Sequence, residues 1–157
     1  MSRIVSVEAI PCQVPFRQTF VIGRGSVGTA GGSGRHVFVR LEDSDGRVGW
    51  GEVRALPSWS YETVEAITAA IRGYLGPLLL GRSPFDLNAI HQAMYETLTP
   101  AISNGQPFAK AALDIALHDL QGQVTGQPIH ALLGGKIRDS VPLCYALSIA
   151  PPEEMAA

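Results

Sequence analysis

The groups in this 157-residue chain able to bind a metal or move a proton near neutral pH are four histidines, two cysteines and fourteen carboxylates. Their spacing limits what they can do. His36, His91, His118 and His130 show no H-x-x-x-H pairing, and no cysteine joins them, so the ligand spacings of a metal site are missing. Lys110, Asp114 and His118 recur every four residues, which a helix brings side by side as a ladder of ion pairs. Asp119 reads likewise as structural, and Glu52 as a carboxylate at a strand end, placed to brace the chain against a neighbouring domain. None of these forms a general acid–base pair, so the residues alone nominate no catalytic group and no metal ligand.

One motif invites a stronger reading. Gly23-Arg24-Gly25-Ser26-Val27-Gly28 matches G-x-G-x-x-G, the dinucleotide-binding fingerprint. That fingerprint works only when its last glycines open a helix whose N-terminus faces a pyrophosphate. Here Thr29-Ala30-Gly31-Gly32 and then a strand pattern follow, so the context fails. The glycine-rich stretch at residues 15–34 is expected to be a long mobile loop, unless something packs on it.

The elements that must position these groups are legible around it. Residues 4–14 alternate as a strand, with Val5, Val7 and Ala9 against Ser6 and Glu8. Residues 36–41 and 47–53 form a hairpin about Asp43-Ser44-Asp45-Gly46, with Val37, Val39 and Leu41 on one face and Val48 and Trp50 alternating on the return. A helix follows with Val64, Ile67, Ile71, Tyr74 and Leu75 at helical spacing and Ser60 as its cap. A second opens at Ser83-Pro84-Phe85-Asp86 and turns Leu87, Ile90, Met94 and Leu98 inward. The third, from Pro107 to a stop at Gly126, gathers Ala109, Ala112, Leu113, Ala116, Leu117, Leu120 and Val124 on one mostly small face, with Asn104 or Gln106 to cap it. Lys110, Asp114, His118 and Gln121 fall on the opposite face, expected to be wet or shared. Residues 141–149 have a strand's composition. Strands first and helices afterwards predict an α+β fold, a three-stranded antiparallel sheet packed on a helical layer.

Composition excludes other classes. Apolar residues make up 46% and charged residues 17%, as in a globular domain, and the net charge of −2 with unclustered basic residues gives no case for nucleic acid or an acidic membrane. No segment approaches the ~20 apolar residues of a membrane span, and residues 1–10 do not resemble a secretory signal. Cys12 and Cys144 read as buried thiols rather than a disulfide framework. A cytoplasmic protein is the default expectation.

The run AKAALDIALHDLQGQVTGQPIHALLGGKIRDSV, with Gly49-Trp50-Gly51-Glu52 upstream, resembles the enolase superfamily in its mandelate racemase and muconate-lactonising branch. The resemblance implies a capping domain at residues 1–139 and the first strand of a (β/α) barrel within residues 140–157. A barrel of eight strands takes ~200 residues or more, so the expectation is the N-terminal part of a longer or split enzyme, lacking catalytic bases and metal ligands. Enzymes of this branch abstract a proton α to a carboxylate and stabilise the enediolate with a divalent cation, usually Mg²⁺. By the same resemblance, the loop after the first strand and the loop after the third close over the barrel mouth. Phe16, Phe20, Val21, Ile22 and Arg24 in one, and Trp59 and Tyr61 in the other, are then the candidates to contact substrate. Ser148, near the end of the barrel strand and better placed than Tyr145, joins them. The implied partners are a small carboxylate substrate, the remaining barrel in cis or in trans, and further copies in a homo-oligomer. Racemase, epimerase and muconate-type cycloisomerase lead. An acid-sugar dehydratase of the same superfamily and a stand-alone non-catalytic binding module are the alternatives.

Overall fold

The alternation of apolar residues becomes a half-buried sheet in the computed structural model, which describes residues 2–23, 25–144 and 146–155. Strands β1 (Ile4–Pro15), β4 (Ser33–Asp43) and β5 (Val48–Ala55) lie in the order β1-β4-β5, and β2 (Phe20–Ile22) pairs with β3 (Gly25–Gly28) separately. The β4–β5 turn is built around Asp43. Its buried carboxylate accepts the Asp45 and Arg47 N–H groups at 2.9 and 2.8 Å and the Ser2 hydroxyl at 2.6 Å, while Gly46 takes the positive φ of 80° that closes the turn. Burial alone would raise the Asp43 pKa. The hydrogen bonds from Ser2, the two backbone groups and Arg47 outweigh it, and the carboxyl is held below its ordinary value.

Helix α1 (Pro57–Ser60) is a single turn, and α2 (Val64–Ala70) runs on through a π turn at Ile71–Leu75 and a 3₁₀ turn at Gly76–Leu78. Thr63, not Ser60, caps α2, its hydroxyl accepting the Ala66 N–H at 3.2 Å. Ser60 instead donates to the Leu56 carbonyl at 3.0 Å. Helix α3 (Leu87–Thr97) begins later than the sequence suggests, because Ser83 is spent on a local turn with the Phe85 N–H. Ile90 and Met94 are buried as expected.

Helix α4 (Pro107–Thr125) lies along β5, and the register explains how closely. Leu41 pairs with Gly49 and Val39 with Gly51, so the residues of β5 facing the helix are glycines. A Cβ at Gly51 would lie 2.0 Å from the Ala112 carbonyl oxygen, and one at Gly49 2.4 Å from that of Ala116. Helix backbone therefore rests on strand backbone, with Ala112 and Ala116 as the matching small residues. Trp50, between the glycines, points away and stays 46% exposed. Its backbone N–H donates to Asp119 Oδ2 of α4 at 2.7 Å, tying the edge strand to the helix.

The polar face of α4 is not wet throughout. Lys110 and Gln121 are buried: Lys110 Nζ donates to the Leu98 carbonyl at 2.6 Å and lies 4.2 Å from the Tyr95 ring centre, and Gln121 Nε2 donates to the Pro84 carbonyl at 2.6 Å. Asp114 takes His91 of α3 as its partner at 2.7 Å, and His118 Nδ1 donates to the Asp114 carbonyl at 2.9 Å. The expected Lys110–Asp114 pair is replaced by these contacts because the 84–98 segment covers that face. Short helices α5 (Ile129–Leu132) and α6 (Pro152–Met155) follow.

The chain divides into two compact units, residues 1–12 with 35–135, and residues 13–34 with 136–157. In the second, the expected featureless loop is a short antiparallel hairpin, with Ile22 opposite Gly25 and Val21 opposite Ser26. Its β-forming Phe20-Val21-Ile22 run overrides the neighbouring glycines. Among the described residues no strand covers 141–149. A barrel strand is defined by ladders to its neighbours, and here only Ser148 and Ile149 find a partner in Val21. Cys12 is half-buried and Cys144 exposed, so the second is not the buried thiol expected; both are free.

Candidate functional site

The residues singled out by the sequence fall into two groups. In the first unit, the segment after β5 folds back on itself: the Trp59 and Ser60 N–H groups donate to the Leu56 carbonyl, both at 2.8 Å, and Tyr61 takes a left-handed φ of 54°. That turn drives two neighbouring side chains apart from a third. Trp59 and Tyr61 are 64% and 57% exposed, whereas Glu62 is buried at 1%.

Glu62 is the anchor. Its Oε1 accepts the Phe108 N–H at 3.0 Å, satisfying a free donor of the first turn of α4, where Gln106, at a left-handed φ of 58°, makes no side-chain cap. The expected caps, Asn104 or Gln106, are thus replaced by a carboxylate from 46 residues upstream. Burial pushes the Glu62 carboxyl above its ordinary pKa, against the N–H groups of Phe108 and Ala109 and the charge of Lys110, which draw it down. Lys110 is pushed below its ordinary value by burial, with Glu62 opposing. No periodicity or motif flags Glu62 in the sequence, because its partner lies on a different element.

Around this turn is a cavity of about 450 Å³ lined by Trp59, Tyr61, Phe108, Leu56, Arg54 and Asn104, among others. An indole, a phenol and a phenyl ring with one guanidinium and one amide make a surface able to hold a partly apolar, anionic group. Its described lining residues include no carboxylate, histidine or lysine to act as a base toward carbon.

In the second unit, Phe20, Val21 and Ile22 form one strand of the hairpin, all half-buried, and the Phe16 ring lies against Gly28 at 3.0 Å from where a Cβ would stand. Val21 and Ser148 are brought together: the Val21 N–H donates to Ser148 Oγ at 2.8 Å. Arg24 and Tyr145 lie outside the described residues. No three of the described His, Cys, Asp and Glu side chains stand where they could hold a metal ion.

Residues 4–134 match the family model described as the mandelate racemase / muconate lactonizing enzyme N-terminal domain. The chain belongs to this family. It is 33% identical over 154 residues to the N-succinyl-L-Arg/Lys racemase of Bacillus cereus, covering 98% of this chain and 39% of that protein. With the L-Ala-D/L-Glu epimerase of Bacillus subtilis it shares 35% over 155 residues, covering 99% and 40%. Muconate cycloisomerase 1 of Rhodococcus opacus is 38% identical over 121 residues, covering 76% and 31%. The crystal structure of the Bacillus cereus racemase superposes with a TM-score of 0.86 at 33% identity, over 98% of this chain and 39% of that one. The chain thus spans about 40% of the length of the first and second of these relatives.

Membership in the mandelate racemase / muconate lactonizing enzyme family accounts for the α+β arrangement, which is that of the family's N-terminal domain. It also implies a divalent metal in the chemistry. The described residues offer no ligand set for one. No helix among the described residues is long and apolar enough to cross a membrane.

Proposed function

We propose that this chain is the N-terminal, specificity-bearing part of a racemase, epimerase or muconate-type cycloisomerase that removes a proton α to a carboxylate. On this reading residues 1–139 are the capping domain and residues 140–157 open a barrel that supplies the bases and the ligands of a Mg²⁺ ion, in cis or in trans. The enzyme works in the cytoplasm as a homo-oligomer. Phe20, Val21 and Arg24 from the first loop, Trp59 and Tyr61 from the second, and Ser148 contact the substrate, a compact and partly apolar carboxylic acid. The observation that carries the reading is the pairing of two presented aromatics, Trp59 and Tyr61, with a buried anchor, Glu62, in a chain similar to a racemase and an epimerase along nearly all its length.

The physical task of these residues is to bind and to dry. Abstraction of an α-proton builds negative charge on the carboxylate, and every interaction that stabilises that charge is stronger once water is expelled. Aromatic and aliphatic side chains exclude water, and a guanidinium from Arg24 meets a second anionic group of the substrate. Substrate choice then lies with this part of the protein, and proton transfer lies with the barrel.

The test is α-proton exchange in heavy water, followed by NMR, for the complete polypeptide or the chain with its co-purifying partner, loaded with Mg²⁺. The panel holds N-acyl amino acids, dipeptides, cis,cis-muconate and acid sugars. Deuterium at the α-carbon of an amino-acid derivative, or lactonisation of muconate, is the expected result. Water loss from an acid sugar would move the assignment to a dehydratase. Inertness toward the whole panel, with a monodisperse folded chain and no partner, would replace the enzyme by a binding module.

A further inference from the structure

The hairpin of the second unit is held at one point by a side chain. The two polar groups of Val21 face away from β3, since Val21 sits opposite Ser26 in a position of the antiparallel ladder that leaves them free for an outer neighbour. That neighbour is the segment at residues 148–149. The Val21 N–H donates to Ser148 Oγ at 2.8 Å and the Val21 carbonyl accepts the Ile149 N–H at 3.0 Å, although Ser148 is 127 residues distant in sequence.

We propose that Ser148 is a positioning residue, a latch that fixes the 20–28 hairpin through its hydroxyl. A backbone ladder would present a carbonyl to the Val21 N–H; here a side-chain oxygen takes that place, so half of the junction depends on one substitutable group. A hydroxyl that accepts one hydrogen bond keeps its own proton to give. A carboxylate oxygen of a substrate placed at that proton polarises the hydroxyl and strengthens its hold on Val21. Filling the site and fixing the hairpin are then linked through a single oxygen. That the hairpin forms part of a substrate lid rests on the function proposed above; the latch itself does not.

Amide hydrogen exchange by NMR on this 157-residue chain tests it, comparing the unsubstituted chain with Ser148→Ala, Ser148→Thr and Ser148→Cys. In Ser148→Ala, exchange at Val21 is expected to accelerate about three- to tenfold, the protection supplied by one neutral hydrogen bond, with a smaller acceleration at Ile149 and none at Leu113 and Leu117 of α4. Threonine, which keeps the hydroxyl, restores slow exchange, and cysteine, a weak acceptor of similar shape, falls between. Unchanged Val21 exchange in Ser148→Ala overturns the latch. So does a threonine variant that fails to rescue, or a cysteine variant as slow as serine. If the alanine variant also loses protection in α4, the threonine and cysteine comparison decides. A failed latch leaves the enzyme reading standing, and absence of α-proton exchange across the substrate panel leaves the latch standing.

Discussion

The seam between α4 and β5 and the hairpin β2–β3 use glycine for opposite ends. In the seam, Gly49 and Gly51 are there for the space they leave, since a methyl group at either would enter the backbone of α4. In the hairpin, a Cβ at Gly23 or Gly25 would meet nothing within 4 Å, and the glycines serve the turn. One region is close-packed, with Leu113, Leu117 and Leu120 wholly buried beside it; the other keeps its strands half-exposed and relies on hydroxyl contacts such as Thr19 Oγ1 with the Ala30 N–H at 2.9 Å. Rigidity concentrated in the seam leaves the hairpin and the 56–62 turn open to change of sequence with little loss of fold. That is a sensible division for a domain whose proposed work is substrate selection.

Substitution of the glycines breaks the comparison most directly. Gly51→Ala is expected to cost about 3 kcal/mol or more, because neither an Ala112 carbonyl nor a helix pinned by Asp119 can yield to a Cβ. The same change at Gly23 should move stability by less than about 0.5 kcal/mol. Urea midpoints of the two variants measure both. Similar losses at both sites would mean that the seam is no tighter than the turn.

Asp119 offers a finer probe of the seam. Removing its carboxylate in Asp119→Ala leaves the Trp50 N–H to solvent at an exposed edge, and a loss of about 1 kcal/mol is expected. Trp50, 46% exposed, is a local reporter, so its fluorescence should shift in this variant, read in a Trp59→Phe background that leaves Trp50 as the sole tryptophan of the sequence. A stability change without any shift in Trp50 emission would detach Asp119 from the strand edge.

Much of the seam was readable before the fold. The spacing of Ala109, Ala112, Leu113 and Ala116 marks the buried face of α4, and Asp-Ser-Asp-Gly marks the β4–β5 turn. The register that sets Gly51 against Val39 follows from that turn. Burial of Lys110 and Gln121 was not readable, because their partners are the carbonyls of Leu98 and Pro84, and any residue type could have supplied those. The hairpin hid behind its own glycines, which suggest disorder when counted without the Phe20-Val21-Ile22 run. At the site, Trp59 and Tyr61 came from the family resemblance, whereas Glu62 needed the three-dimensional fact that α4 begins beside it.

Glu62 supplies a pH test that sharpens the contrast between a buried anchor and the exposed turn it holds. Its carboxyl is raised in the folded protein, so the native state binds the proton more tightly than the unfolded chain does. Its contribution is then full below the ordinary value of 4.5 and declines as pH rises from there through the folded value. Asp43 has the opposite sign, its stabilisation present above 3.8 and lost as pH falls through its depressed folded value, so the two windows separate on either side of the ordinary carboxylate range. Glu62→Gln keeps an acceptor for Phe108 and removes the charge. Its stability relative to the unsubstituted chain should grow in urea titrations as pH rises from the ordinary value of 4.5 through the raised folded value. A difference that stays flat with pH would show Glu62 to be no more than a neutral cap.

A small effect on stability is expected where the effect on function is largest. Trp59 is 64% exposed, with its backbone N–H donating to the Leu56 carbonyl, and Phe20 is half-buried in a strand of three residues. Trp59→Ala and Phe20→Ala should each change the unfolding free energy by about 0.5 kcal/mol or less for the first and about 1 kcal/mol for the second. In the complete enzyme the same changes should redistribute kcat/KM among the carboxylic acids of the panel, because a pocket that loses an aromatic wall loses part of its discrimination between side chains of different size, on the order of tenfold for a methylene-sized difference. Melting temperatures and kcat/KM ratios measured together make the comparison decisive. Should Trp59→Ala lower the melting temperature substantially while the ratios stay fixed, the indole belongs to the scaffold, and the division of labour between seam and loops fails at the residue where it is most exposed.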